Sequence, residues 1–383
     1  MKKKLALFFE SFCEIHFAKD PFLVPYYLGK IMEYDVTILY PKLENNGNLP
    51  DTYRGVRLIP FNINENPNPT IKYKDIIQYV YVNAKTIDVL MLFYSNEKCI
   101  PFVNRYKKGN PTGKVYIKLD INPYFTKWWS SIPAWKKPFS WIKQNLKWKS
   151  YIKKLDVVSC EMTKAYNLLS TDCMPIYDFR GKLVLVPNGL DEEEINSLGF
   201  GKSQYDKKDN LIITVSRLGS PQKNTDMLLK ALKKVDMKDW KFFMVGGVDE
   251  SFLPKVKQFR KEHPEMENKI LWMGPITDRK KLYNIYNQAK VFVLSSKYEG
   301  CAIVFGEAKR FSNYLISTKV GASEDIIEGG KYGELVDIND IDAMAQSIQN
   351  IVDGKTNINV FSDLDIEKLS WEHSLQPVVE KLI

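Results

Sequence analysis

The stretch VFVLSSKYEGCAIVFGE, residues 291–307, runs from a β-branched and aromatic segment through two serines to a loop presenting Glu299 and Gly300, then into an apolar helical run that contains Glu307. That order has a chemical use. The free amides at such a helix start, those of Cys301, Ala302 and Ile303, can hold an anion. A carboxylate before the helix and another about 8 Å further along, at ~1.5 Å per residue, can each take hydroxyls of a neutral polyol. Spacing alone leaves a second reading open, in which one acid caps the helix and the other is solvated on its face. Upstream, ITVSRLGSPQKN, residues 213–224, is a strand end, a turn and a helix start carrying Arg217 and Lys223. Two cations beside a helix start suit a diphosphate, whereas either one taken singly is ordinarily a solvated loop residue.

These groups need a scaffold, and the chain supplies an alternation of short apolar runs and longer amphipathic stretches, the pattern of parallel sheets with crossover helices. Expected strands in the first half are 5–9, 35–40, 56–59, 89–93, 115–119, 157–160 and 183–186. VPNGLD at 186–191 is a strand end with turn chemistry, and the polar stretch 201–210 after it marks a domain boundary. A second series follows, with strands at 211–216, 241–245, 270–273, 291–294, 315–317 and near Leu335, and helices at 225–235, 254–263, 280–288 and 303–311. Residues 342–352 and 366–383 read as closing helices. The fold class is therefore α/β, two doubly wound Rossmann-like domains facing a central cleft, since ligands bind outside the carboxyl ends of parallel strands.

Composition narrows the function classes. With 383 residues, 44% hydrophobic and 26% charged, the chain is long enough for two ordinary cores and unlike a disordered or multispan membrane protein. Its five cysteines form no Cys-x-x-Cys pair and its three histidines stand apart from them, so no metal site is expected; the cysteines read as reduced thiols of a cytosolic protein. The apolar stretch Leu5–Phe9 is too short for a secretory signal, and no run of 18 uncharged apolar residues exists to span a bilayer. Asp340, Asp342, Asp363 and Asp365 read as helix caps rather than cation ligands. Almost all of the net charge of +9 sits in residues 1–200, with 28 Lys and Arg against 20 Asp and Glu, while residues 201–383 carry 27 against 26. An anionic partner is expected on the first half.

The ordered set of marks in residues 211–337 resembles the donor-binding domain of the retaining GT-B glycosyltransferases of glycosyltransferase family 4. The marks are the strand before Arg217 and Lys223, Gly246-Gly247 after a strand, Met273-Gly274-Pro275-Ile276, EGCAIVFGE with its Glu-x7-Glu spacing, and Val320-Gly321 before an acidic pair. The resemblance extends to VPNGLD at 186–191 and to Leu369-Ser370-Trp371-Glu372, and covers about half of the chain well. It implies that Arg217 and Lys223 hold the diphosphate of a nucleotide-sugar, with Glu307 on the ribose and Glu299 on the sugar hydroxyls near the reacting carbon. Gly246 and the amides of Gly300, Cys301, Ala302 and Ile303 would meet the phosphate or sugar, and Gly274 and Ile276 the base. It implies a metal-independent, cofactor-free hexosyl transfer with retention, and assigns residues 1–200 to an acceptor-binding domain, 201–368 to a donor-binding domain, and a terminal helix of about 369–383 that packs back on the first.

Two segments depart from that pattern. Relatives carry a His-Asp pair after a first-domain strand; here VYIKLD at 115–120 leaves Asp120 to keep the sugar-facing role, with Lys118 two residues back on the same strand face. The glycine-rich loop after the first strand is replaced by residues 10–21, from which His16 and Lys19 are acceptor-side candidates; structural or solvated roles are the alternatives for all of these. Catalytic candidates are thus Glu299, Lys223, Arg217 and Asp120. Residues 124–155 hold five of the eight tryptophans and eight lysines without one acid. Trp128, Trp129, Trp135, Trp141 and Trp148 with those lysines suit an anionic membrane surface, and part of the stripe suits a core; lysine dominance without a recognition motif argues against nucleic acid. The expectation is a retaining transferase using a UDP-sugar. Its acceptor would be a polyprenyl-diphosphate-linked saccharide in surface polysaccharide synthesis, reached from the cytoplasmic face as a peripheral membrane protein. A soluble protein or small-molecule acceptor, or a non-catalytic sugar-nucleotide-binding subunit, are the alternatives.

Overall fold

Runs such as VLMLF at 89–93, apolar at every position, have no face to leave in water and so require a parallel sheet covered on both sides. They lie in such sheets in the computed structural model, which describes residues 2–120, 140–171 and 178–383, the side chains of 140–144 apart. The chain divides into two compact units, Met1–Gly189 with Trp371–Ile383, and Leu190–Ser370. Both are Rossmann-like α/β units, as the strand pattern in the sequence implied.

In unit 1 the strands are β1 Lys4–Phe8, β2 Asp35–Pro41, β3 Thr52–Tyr53, β4 Val56–Phe61, β5 Val89–Phe93, β6 Lys114–Lys118, β7 Val157–Cys160 and β8 Leu183–Leu185. Their order is β3-β4-β2-β1-β5-β6-β7-β8. All neighbours are parallel except β3 and β4, a hairpin absent from the sequence reading and turned by Arg54 and Gly55, both at positive φ. Leu7 of β1 registers with Ile38 on one side and Met91 on the other, so β1 is where the strand order reverses. The terminal segment 366–383, expected as one helix, is three pieces: Ile366–Leu369, Trp371–Ser374 and Gln376–Leu382. Ser370 is extended at ψ 156° and Pro377 cannot donate into a preceding turn, which breaks the run.

In unit 2 the strands are β9 Asp209–Val215, β10 Lys241–Val245, β11 Ile270–Gly274, β12 Ala289–Leu294, β13 Tyr314–Thr318 and β14 Gly333–Val336, in the order β11-β10-β9-β12-β13-β14, all parallel. Successive residues point to opposite faces. Ile212, Val291 and Val293 join a core with the helices Thr225–Leu232, Leu253–Glu262 and Ile341–Val352, while Ile213, Phe292 and Leu294 join another with the helices Arg279–Gln288 and Ile303–Arg310. The order reverses between β9 and β12, so the loops after these adjacent strands flank the crevice where ligands of such sheets bind.

Trp148 lies in the helix Ser140–Lys153 and is buried, its ring edge-on to Tyr151 at 5.4 Å. It is a core residue and not part of a membrane-facing patch; the register that buries it with Tyr151 and Ile152 leaves Leu146 of the same helix 64% exposed. Trp128, Trp129 and Trp135, and the side chain of Trp141, lie outside the described residues. No helix among the described residues is long and apolar enough to cross a membrane.

Candidate functional site

The loops after β9 and β12 meet through side chains. Glu299 is 6% exposed, and its Oε1 accepts Lys223 Nζ at 2.6 Å and Ser296 Oγ at 2.5 Å, while its Oε2 accepts Gln222 Nε2 at 3.2 Å. A carboxylate has roughly four lone-pair positions, so three donors leave about one for a further hydroxyl. Gln222 also donates to the Tyr298 carbonyl, accepts Arg217 Nη2 at 3.2 Å, and its own carbonyl receives the Lys297 amide at 2.8 Å. Arg217, itself exposed, is thereby tied to Glu299 through Gln222. Neither Gln222 nor Ser296 stood out in the sequence; their alternation with the charged residues along each loop is the only signal, and it is weak.

Two glycines let the loops close. Gly246, at φ 135°, faces the Ser216 carbonyl so closely that a Cβ would come within 1.8 Å of it, and Gly321 would put a Cβ 1.9 Å from the Gly300 carbonyl, which accepts the Ala322 amide. Thr318 Oγ1 donates to the Ser296 carbonyl at 2.6 Å, so the end of β13 props the Glu299 loop from behind. Gly274, at φ 67°, has its carbonyl bound by the Gly246 amide, and Ile276 packs against the core beside the helix Arg279–Gln288. Ala302 is the N-cap and Ile303 the first residue of the helix that carries Glu307, with Cys301 partly buried just before it.

Glu307 is 2% exposed and lies in a separate cluster of the same unit. Arg279 Nη2 pairs with its Oε1 at 3.1 Å and Tyr286 donates to its Oε2 at 3.0 Å. Arg279 also reaches Glu194 at 3.3 Å and contacts the Tyr283 hydroxyl. Burial, then the Glu307 charge and hydrogen bond, push the Tyr286 hydroxyl well above its ordinary pKa. Burial alone would lower the Arg279 pKa, but Glu307, Tyr283 and Glu194 raise it. Arg279 and Tyr286 were not singled out in the sequence, because an arginine and a tyrosine seven apart on an amphipathic helix look like ordinary surface and core.

In unit 1, the ends of β6 and β7 and the start of the helix Asp20–Met32 converge on Lys118. It is fully buried, with Nζ 2.7 Å from Glu161 Oε1 and 3.1 Å from Asp20 Oδ2. Burial would lower its pKa, but Glu161, Asp20 and Asp120 reverse that and hold it well above the ordinary value. A lysine without solvent contact cannot touch an acceptor, so the acceptor-side expectation for Lys118 is corrected: both its partners are protein carboxylates. Asp120, at φ 46°, is exposed as a residue, yet its carboxyl is packed closely enough that desolvation, with Glu161 and Asp20 nearby, pushes its pKa up to about 6 against the pull of Lys118 and a Tyr94 hydrogen bond. His16 accepts the Cys13 amide on Nδ1 at 3.0 Å and sits between the rings of Phe9 and Phe12; burial and Lys19 lower its pKa, which favours a neutral ring protonated on Nε2. Lys19 is exposed, just before the helix Asp20–Met32.

The expected caps are present at two positions: Asp340 accepts the Ala343 amide and Asp365 the Glu367 amide. Among the described residues no group of three His, Cys, Asp or Glu side chains is arranged to hold a metal ion.

Residues 199–362 match the model of the family Glycosyl transferases group 1. A protein of Thermosipho melanesiensis described as "Probable sucrose-phosphate synthase" is 26% identical over 73% of this chain and 69% of its own length. "Amylovoran biosynthesis glycosyltransferase AmsD" of Erwinia amylovora is 32% identical over 35% of this chain and 37% of its own. An Escherichia coli "UDP-Gal:alpha-D-GlcNAc-diphosphoundecaprenol alpha-1,3-galactosyltransferase" is 26% identical over 47% and 48%. Among solved structures, HepE of Anabaena in complex with UDP superposes with a TM-score of 0.65 at 14% identity, covering 99% of both chains. The lipopolysaccharide outer core galactosyltransferase WaaB gives 0.67 at 12%, again over 99% of both. The chain thus has the two Rossmann-like domains of the GT-B glycosyltransferases, and its residues 199–362 match the glycosyl transferases group 1 family.

Proposed function

We propose that the protein is a retaining, metal-independent glycosyltransferase that uses a nucleotide-sugar, a UDP-sugar in the first instance, and transfers the sugar to a saccharide acceptor bound by unit 1. The observation that carries this reading is the clasp of Glu299 by Lys223, Gln222 and Ser296 at the strand-order reversal of unit 2, with Arg217 linked to it through Gln222. Lys223 gives one of its three N–H donors to Glu299, so two remain for phosphate oxygens, and Arg217 adds a guanidinium fork beside it. Together they neutralise the diphosphate as it leaves, which is the largest electrostatic demand of the transfer. Glu299 turns its remaining lone pair to a sugar hydroxyl. Glu307 takes the ribose, sharing its carboxylate with Arg279 and Tyr286. The departing phosphate oxygen receives the acceptor proton on the same face, and Asp120 is the catalytic carboxylate we assign to unit 1.

The acceptor class we favour is a lipid-linked saccharide of surface polysaccharide assembly, supported by the names of the Erwinia and E. coli relatives. The test is release of nucleoside diphosphate from a panel of UDP-, GDP- and ADP-sugars. Slow hydrolysis of one donor, reduced about 10²–10³-fold by Lys223→Ala and also lost in Glu299→Ala, supports the reading. Donor binding without any turnover, with or without added acceptor, would overturn it in favour of a sugar-nucleotide-binding subunit.

A further inference from the structure

Asp120 stands on a turn that needs a holder. It is a non-glycine residue at φ 46°, and its neighbour across the sheet, Tyr94 at the end of β5, is at φ 57°. The Tyr94 amide donates to the Lys118 carbonyl at 2.8 Å, and the Leu119 amide to the Ser159 carbonyl at 2.9 Å, so the ends of β5, β6 and β7 are laced together below the turn. Above it, a single oxygen does the work: Glu161 Oε1 receives both Lys118 Nζ at 2.7 Å and the Asp120 backbone amide at 2.9 Å. Glu161 is 2% exposed and Lys118 is fully buried. Burying a lysine with a carboxylate is poor economy for stability alone, since apolar residues of like volume would serve as well. The arrangement makes sense where a carboxylate must be presented in one orientation.

We propose that Glu161 is a positioning residue for Asp120: from the end of β7 it clamps the Lys118 ammonium and the Asp120 amide with one oxygen, fixing the left-handed turn that orients the Asp120 carboxylate. This rests on the transfer reading above. Asp20 assists by pairing with the same ammonium at 3.1 Å, while the Asp120 amide goes to Glu161. The charged and titratable groups facing Asp120 are Lys118 on β6, Glu161 after β7, Asp20 at its helix start and Tyr94 after β5. Replacing Glu161 by glutamine removes a negative neighbour and frees Lys118 toward Asp120; both changes favour the Asp120 carboxylate.

The experiment uses the full chain with aspartate carrying ¹³C at the carboxyl and ¹⁵N at the amide, the Asp120 signals being identified by their loss in Asp120→Asn. Glu161→Gln should lower the Asp120 titration midpoint by at least about half a pH unit and move its amide resonance. Asp20→Asn should lower the midpoint and leave the amide in place. In the donor hydrolysis assay, Glu161→Gln should reduce kcat about tenfold with donor KM within about twofold, and shift the acid limb of the rate profile downward with the midpoint. Glu161→Asp keeps the charge but withdraws the oxygen, so the amide resonance should move and kcat fall. A lowered melting temperature with unmoved Asp120 signals and an unmoved pH profile, in an enzyme that turns over donor, would overturn the role of Glu161 alone. A wild-type protein that turns over no nucleotide-sugar, with or without added acceptor, would overturn the transfer reading and this assignment with it, whatever the resonances show.

Discussion

Asp120 and Glu299 show how differently two carboxylates can be set by their surroundings. Glu299 has three donors on it and one of them is a full charge, whereas Asp120 faces Glu161 and Asp20 as well as Lys118, and desolvation lifts its pKa to about 6. The sign of the consequence follows. A carboxyl whose folded pKa is above its free value of 3.8 contributes stability when protonated, fully present below pH 3.8 and lost as pH rises through about 6. Activity that uses the carboxylate runs the other way, falling below about pH 6. Asp120→Asn is therefore expected to reduce turnover, to abolish the acid limb in hydrolysis rates measured from pH 4.5 to 8, and to flatten the stability change over the same interval. A limb that persists unchanged in the variant would assign it to another group. At this scale the sequence spoke unevenly. Charged side chains at a strand end announce themselves by type, so Arg217, Lys223 and Glu299 stood out as candidates, whereas Asp120 was reached only through the family resemblance. Gln222, Ser296, Glu161, Arg279 and Tyr286 were not legible, because their importance lies in which partner the fold brings to them across 43 residues, as with Lys118 and Glu161, or 77, as with Gln222 and Glu299.

Elements carry their information in periodicity, and the parallel strands were readable because a sheet covered on both faces demands unbroken apolar runs of five or so residues. What failed were features set by tertiary contact: the two-residue strand β3, too short to show a period, and the terminal run, whose helical pattern is cut where Ser370 extends. The helix Ser140–Lys153 belongs with these, since spacing alone could not say that Trp148 faces the core while Leu146 faces out. Loop closure is the element-scale property on which the candidate site depends most. The loop after β9 and the strand end after β10 approach so closely at Ser216 and Gly246 that there is no room for a methyl group, and the φ of 135° is open only to glycine. Gly246→Ala should destabilise unit 2 by about 2–4 kcal/mol from strain and clash together, and weaken nucleotide binding by displacing the Arg217 turn. Chemical denaturation combined with UDP titration checks both; Gly247→Ala, where a Cβ meets nothing within 4 Å, serves as the control and should leave both nearly unchanged.

At the scale of the whole molecule the chain leaves unit 1 at Gly189, builds unit 2 as a continuous insertion, and returns at Trp371 to finish unit 1. The return is anchored by Trp371 itself, fully buried in the unit 1 core together with Tyr27 and Leu28 of the helix Asp20–Met32, with Leu375, Val378 and Leu382 following it in. The final thirteen residues therefore stabilise a unit that begins some 370 residues earlier, and damage there should be felt in unit 1 and not in the Glu299 clasp of unit 2. Trp371→Ala removes a large buried ring and is expected to cost about 3–5 kcal/mol. Among the described residues the indole N–H has no hydrogen-bond partner, so Trp371→Phe sheds an unsatisfied donor along with part of the ring and should cost distinctly less. Hydrogen exchange is the measurement that separates the units. In Trp371→Ala, peptides from β1, β7 and β8 should lose protection while those from β9 to β13 keep theirs, and UDP should go on protecting the Ser216–Asn224 and Ser295–Gly300 loops to the same degree. Equal loss of protection in both sheets would mean that the units unfold as one, and the insertion would then have to be treated as a single cooperative body with its host.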